Sequence, residues 1–330
     1  MECLCCEGKT FDTLDYINEE FPNTEIFDQL IIKVCSTCGF GFLESDPAAD
    51  QINNFYHLEY RGKDSPFYLD FGKIGPLKNL DPRAVAQLAT GISFVNFKPF
   101  DAFLDLGPGN GNSFAMANFL LPSPRLHGVE LNLGAIDYYR KTYSAICFKN
   151  MEEIIFGGPD FQIILLSHSL EHIRKDDLLH FISQIRKILS EEGICIIEVP
   201  NDDFRKKELH ARLNDSPHLL FFSTESIEKL FIKSGFKVMY LKVLGNSRIH
   251  TTSNFRNVKK DLGKKVIIAI SKSRLLKKLF KNLMARLLSQ VIKFVEINPK
   301  GFTDNLLNQF TVDGSRDCIR IVIQSANNEP

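Results

Sequence analysis

From residue 100 onward, short apolar runs alternate with stretches in which apolar residues recur at helical spacing. The runs fall at 101–106, 125–130, 145–148, 161–167 and 194–199, and the helical stretches near 112–121, 133–143 and 174–190. Continuous apolar runs read as strands buried on both faces, and helices between them read as crossovers of a parallel sheet. A helix at 223–234 leads through Gly235 into a strand at 236–244. Glycine suits that step, because a helix C-terminus favours a residue tolerant of positive φ. Upstream, Asp81-Pro82 reads as an N-cap with proline at the first helical position, opening a helix through about Val95. A last strand candidate, Cys318 to Ile323, alternates β-branched and polar residues. The fold class expected is α/β, with a doubly wound sheet.

The flanks differ from this core. Residues 1–50 hold five of the eight cysteines. Cys3-x-x-Cys6 and Cys35-x-x-Cys38 are two knuckles, and two such pairs complete a tetrahedral four-thiolate zinc site. Cys5 is an extra thiol that leaves a second assignment of the first pair open. A four-thiolate site is closed, so this zinc would be structural. Cys147, Cys195 and Cys318 lie in strands and read as small core residues. Residues 51–80 are aromatic and irregular, with Phe55, Tyr56, Tyr60, Phe67, Tyr68 and Phe71. They read as a linker packed on the core, or as a lid touching substrate. Residues 81–245 form the expected core and 317–330 its final strand and tail. Between them, residues 246–316 read as a basic helical insertion, in which Asp261 is the only acid between Arg248 and Val295.

Composition narrows the class. With 330 residues and a formal net charge of zero, the chain can bury a large core and carries no global field toward nucleic acid. The first residues lack a signal-peptide h-region, and no apolar run approaches the roughly 20 residues of a spanning helix. The expected setting is the cytoplasm, where clustered thiols are metal ligands rather than disulfides.

Candidate chemistry centres on Phe103-Leu104-Asp105-Leu106-Gly107-Pro108-Gly109-Asn110-Gly111-Asn112-Ser113. An apolar strand enters a glycine-rich turn and then a helix, and ligands of doubly wound sheets bind just there. A dinucleotide site prefers G-x-G-x-x-G, but Asn112 stands where its third glycine would be. Asp105 fits poorly beside a pyrophosphate and well beside the cationic end of S-adenosylmethionine (SAM). Glu130 closes the second strand, where an acid can take both ribose hydroxyls in either cofactor class.

The chain from about 82 to 245 resembles class I SAM-dependent methyltransferases. Asp105 to Gly111 matches the family's first motif, and Glu130 its acid after the second strand. Phe161-Gln162-Ile163-Ile164 matches the fourth strand, and Ser169-Leu170-Glu171-His172-Ile173 the Leu-Glu-His motif after it. Glu192-Gly193-Ile194 and Val199-Pro200-Asn201 bound the fifth strand, and Ser223-Thr224 through Gly235-Phe236 matches the step into the sixth. The resemblance implies a seven-stranded, Rossmann-like sheet whose last strand inserts antiparallel beside the sixth. It implies SAM binding by Asp105, Gly107, Gly109, Gly111 and Glu130, with Asn150 and Met151 at the adenine. Related sugar C-methyltransferases and O-methyltransferases use the Glu-His pair for base or metal work, which points to Glu171 and His172 as catalytic. A histidine's ordinary pKa near 6.5 suits a base at neutral pH. His218 matches a recurring His-x-x-x-Phe element near the acceptor pocket, or is a packed loop histidine. The pairing with a knuckle module in front resembles sugar C-methyltransferases and cell-surface polysaccharide methyltransferases, although the large C-terminal domain typical of the sugar C-methyltransferases is not expected in this sequence.

These features predict a SAM-dependent methyltransferase acting on a hydroxyl or activated carbon of a nucleotide-linked or lipid-linked sugar. Residues 256–293 would touch an anionic membrane peripherally, at the inner membrane surface. The alternatives are an RNA methyltransferase, disfavoured by the neutral charge and the acidic knuckle module, and a non-catalytic SAM-binding protein.

Overall fold

The computed structural model describes residues 1–16, 25–27, 30–60, 68–70, 82–206, 217–244 and 318–326. The expected basic insertion, Phe67, Phe71 and the Asp81 cap lie outside the described residues.

Three strands, β1 (Phe11–Asp15), β2 (Ile31–Cys35) and β3 (Gly41–Leu43), open the chain, followed by the short helix α1 (Ala49–Asn54) and a π-helical turn at Phe55–Glu59. Helix α2 (Pro82–Ile92) leads into the core. There β4 (Ala102–Leu106), α3 (Asn112–Leu120), β5 (Arg125–Val129), α4 (Leu133–Tyr143), β6 (Ile146–Phe148), α5 (Met151–Gly157) and β7 (Phe161–Ser167) alternate. Then come α6 (Leu178–Ile188), β8 (Leu189–Pro200), the two-residue β9 (Leu220–Phe221), α7 (Thr224–Lys233), β10 (Phe236–Leu244) and β11 (Cys318–Ser325).

The seven-stranded sheet runs β10-β11-β8-β7-β4-β5-β6. β4 to β8 are parallel, and β11 lies antiparallel to both β8 and β10. Strand periodicity of two explains the double winding. In β4, Ala102, Leu104 and Leu106 join one core with α5, α6 and α7, whereas Phe103 joins a second with α2, α3 and α4. In β7, Ile164 and Leu166 face the first layer, and Ile163 and Leu165 the second.

Helix ends follow side-chain capping. Asn132 accepts from the Ala135 amide to open α4, and Ser223 accepts from the Ser226 amide to open α7. The expected helix at 174–190 is shorter: a 3-10 turn at Lys175–Asp177 precedes α6, because Arg174 is extended. The expected strand at 194–199 is longer, since Leu189 already pairs with Phe161. Helix α5 went unanticipated; Asn150 caps it by accepting from the Glu153 amide at 3.0 Å.

The N-terminal strands do not stand apart from the core. Their sheet has the order β1-β2-β3-β9, so its fourth strand comes from between β8 and α7. Cys3, Cys35, Cys38, Phe40 and Phe42 belong to the same apolar cluster as α6 and α7.

Candidate active site and metal centre

The glycine-rich turn follows β4. Gly107, Gly109 and Gly111 have φ of 87°, 60° and 78°, a region that other residues reach only with strain. The Gly107 amide donates to Val129 O at 3.1 Å, the Gly111 amide donates to Pro108 O at 2.9 Å, and the Tyr139 hydroxyl donates to Gly109 O. The turn bounds a cleft of about 160 Å³, lined also by Arg83, Gln87, Asp105, Asn112 and Ser167.

Asp105 is 2% exposed. Its Oδ2 accepts from the Ser113 hydroxyl, and its Oδ1 has no hydrogen-bond partner. Burial pushes its carboxyl up to about 7; Ser113 opposes the rise and the nearby Glu130 charge adds to it. Glu130 Oε1 accepts from the Leu131 and Asn132 amides at 2.9 and 3.0 Å, which fixes the acid at the end of β5. Asn150 and Met151 follow β6, the adjoining edge strand. The Asn150 side-chain oxygen is used in the α5 cap, and Met151 is 5% exposed within the core.

A second cluster follows β7. Glu171 is fully buried and neither carboxylate oxygen has a hydrogen-bond partner. His168 Nδ1 stands 3.2 Å from its Oε1, an ion pair off the line of a hydrogen bond, and His218 Nε2 stands 3.9 Å away. Burial favours the neutral acid, but His168 outweighs it and holds Glu171 down at about 2. Burial likewise opposes charge on His168, yet Cys318, Glu171 and Glu198 together raise its pKa well above the usual histidine range. His168 is therefore an imidazolium at neutral pH. Its backbone sits at a φ of 54°, a strained conformation for a non-glycine residue.

His172 and His218 are the neutral members. Burial lowers the pKa of His172, with Glu171 opposing. Burial and then the charge of His172 lower His218 to about 3. The rings of His172 and His218 meet edge to face at 5.0 Å. Tyr56 Oη lies 2.6 Å from His172 Nδ1, and both atoms approach Pro217 O, at 3.4 and 3.3 Å. A carbonyl cannot donate, so the consistent assignment puts the proton on Nδ1 and leaves Nε2 as the basic lone pair.

Residues 80–241 match the family model described as a methyltransferase domain. This chain carries a class I SAM-dependent methyltransferase domain. Among solved structures, the methyltransferase resembles the plantazolicin methyltransferase BamL at 15% identity and a TM-score of 0.44, covering 76% of this chain and 87% of that one. It also resembles the cyclopropane synthase MmaA2 from Mycobacterium tuberculosis at 15% identity and 0.43, over 78% and 92%. A third is geranyl diphosphate C-methyltransferase from Streptomyces coelicolor A3(2), at 14% identity and 0.41, over 74% and 79%. No curated protein sequence matches significantly.

A buried charge cluster beside these groups escaped the sequence reading. Arg320 of β11 faces Glu198 of β8 in register, and its Nε and Nη2 donate to Glu198 Oε2 at 2.8 and 2.6 Å. Both side chains are almost fully buried, and Arg83 Nε approaches Glu198 Oε1 at 3.4 Å. Opposite charges pull Glu198 far below the usual carboxylate range although burial opposes this. The available signal was a charged residue inside each apolar run, Ile197-Glu198-Val199 and Ile319-Arg320-Ile321. His168, Glu198 and Cys318 could in principle ligate a metal, as could Glu171, His172 and His218. Each carboxylate already has a cation, Arg320 and His168 respectively.

The four knuckle thiols do meet. Cys3 Sγ and Cys38 Sγ are 3.6 Å apart, as are Cys6 and Cys35, and all four lie within 4.8 Å of one another. Zn–S bonds of about 2.3 Å in a tetrahedron put sulfurs roughly 3.8 Å apart, so the donor set fits zinc closely. Cys5 is 3% exposed beside them and outside this set.

Proposed function

We propose that this methyltransferase alkylates a hydroxyl or activated carbon of a small acceptor, a nucleotide-linked or lipid-linked sugar. SAM supplies the electrophilic methyl group; Asp105 would hold its ammonium, Glu130 its ribose and the glycine turn its backbone-facing side. Asn150 and Met151 stay part of the proposal as the adenine edge. The observation that carries the reading is His172, whose pKa burial lowers, with the buried Glu171 carboxylate beside it and Tyr56 Oη 2.6 Å from its Nδ1. His172 would take the acceptor's proton as the acceptor's oxygen or carbon bonds to the methyl group, the methyl–sulfur bond breaking to leave S-adenosylhomocysteine. Glu171 stabilises the imidazolium that results, and Tyr56 fixes the ring's orientation.

Incubation with methyl-labelled SAM and a panel of nucleotide sugars and polyprenyl-linked sugars tests this. Label is expected in at least one sugar fraction, and none in total RNA. Transfer into RNA alone would overturn the acceptor class in favour of the alternative.

Zinc at Cys3, Cys6, Cys35 and Cys38 is also a proposal, supported by the sulfur spacing. Metal analysis of protein purified without chelator is expected to give about one zinc per chain, the load of a single tetrahedral site. Metal-free protein with four titratable thiols would remove it.

A further inference from the structure

We infer that the thiolate centre is the positioning element of the acceptor side of the site, and that the cofactor side is independent of it. The inference rests on the zinc and His172 readings above.

A continuous path of contacts leads from Cys38 to Glu171. The Ser223 hydroxyl donates to the Cys38 carbonyl, and the Phe40 ring packs on Phe222 at 5.5 Å. Arg205, held by Asp203 and Glu225, donates to Thr37 O at 2.7 Å within the knuckle. Three residues past Cys38, β3 pairs with β9 through Gly41–Phe221 and Phe42–Leu220. The Leu43 amide donates to Leu219 O at 3.3 Å, and the Leu219 amide donates to Glu171 O at 2.8 Å. His218 adjoins Leu219 in the chain. Two further ties reach the same place. The Lys175 amide donates to Asp46 Oδ2 at 2.8 Å, and Tyr56 Oη meets His172 Nδ1 at 2.6 Å. The cleft at the glycine turn is lined by residues from Arg83 onward and by none of the described residues among 1–60.

Physics separates the two halves. The strands β1 to β3 are short, and a metal joining Cys3 and Cys6 to Cys35 and Cys38 would tie the start of the chain to the β2–β3 turn. Metal binding supplies folding free energy directly to such an element. The parallel strands β4 to β8 share one apolar layer with Cys3, Cys35, Cys38, Phe40 and Phe42, but their second layer, with α2, α3 and α4 on the side of Phe103 and Phe114, contains none of these knuckle residues. Loss of the metal should therefore release β3 from β9, and with it His218 and Tyr56, while Asp105 and the glycine turn keep their places.

The test uses the full-length protein before and after zinc removal by a chelator, with Cys38→Ser as a second route to the same state. Zinc content, amide hydrogen exchange, S-adenosylhomocysteine calorimetry and the NMR titration of His172 are read together. Zinc loss is expected to speed exchange at 217–222 by about tenfold or more, leaving 102–106 and 125–129 protected, since local openings span a wide range of free energy. Affinity for S-adenosylhomocysteine should stay within about twofold, well under the 1.4 kcal/mol that a tenfold change represents. The His172 pKa should climb toward about 6.5 as its burial is lost. Unchanged exchange at 217–222 and an unchanged His172 titration, with zinc demonstrably gone, overturn the inference. So does parallel loss of protection in β4 and β5 and of nucleoside binding, which would make the centre a support for the whole fold. Protein that never held zinc fails the metal reading instead, and metal analysis shows this first.

Discussion

Replacing His172 with alanine is expected to lower turnover by about 10²–10⁴-fold, the usual contribution of a general base. SAM affinity should hardly change, because His172 does not line the cofactor cleft. The pH dependence separates a base from a merely packed histidine. Burial holds His172 below its ordinary range, so the imidazole is the neutral, competent form throughout neutral pH. The kcat profile should be flat there and fall only in acid, below the usual histidine midpoint of about 6.5. Glu171→Gln removes the negative charge that favours the imidazolium, so the acid limb should move to still lower pH while kcat drops. A His172→Ala protein with near-normal turnover on the true acceptor would remove the base assignment.

SAM should bind more tightly as pH rises from about 5 toward 7, by about tenfold per pH unit below the Asp105 midpoint of about 7. Burial makes the ligand-free carboxyl hold its proton, and only the ionised form pairs with an ammonium. The rise should end where the ligand's own α-amino group begins to deprotonate, at about 7.7–8.0. The sign for the fold is opposite. The folded pKa is above the unfolded value of about 3.9, so Asp105 costs ligand-free stability as pH rises from there to about 7. The thermal upshift produced by SAM should therefore grow with pH over that window. Asp105→Asn should erase the acid limb and weaken binding about 10–100-fold, as expected for a hydrogen bond to a charged group at about 1.5–3 kcal/mol. Calorimetry across pH on both proteins measures this; an Asp105→Asn protein with the same affinity and slope would exclude Asp105 as the ammonium's partner.

The site was unevenly legible. Asp105, the three glycines and Glu130 sit within one strand–turn–helix–strand unit, and their spacing alone puts them at the ends of the neighbouring strands β4 and β5. The role of Tyr56 was open between packing and contact. It meets a histidine 116 residues away, and nothing in an aromatic, irregular segment indicates which ring will land there. Arg320 and Glu198, 122 residues apart, needed the register of β11 against β8. His168 stands just before the Leu-Glu-His motif, where the sequence alone assigns it nothing. Only its position between two buried carboxylates makes it a cation.

By itself, the sequence determined the elements whose cause is local. Apolar runs and glycine turns specify the parallel strands and the cofactor turn, and paired cysteines specify two knuckles, because backbone sterics and periodicity act over a few residues. Tertiary structure decided which strands became neighbours. It completed the N-terminal sheet with β9, set Arg320 against Glu198, and gathered Tyr56, Glu171, His172 and His218. Those pairings depend on burying two apolar layers at once, and the charges inside them take their protonation from neighbours that no local spacing identifies.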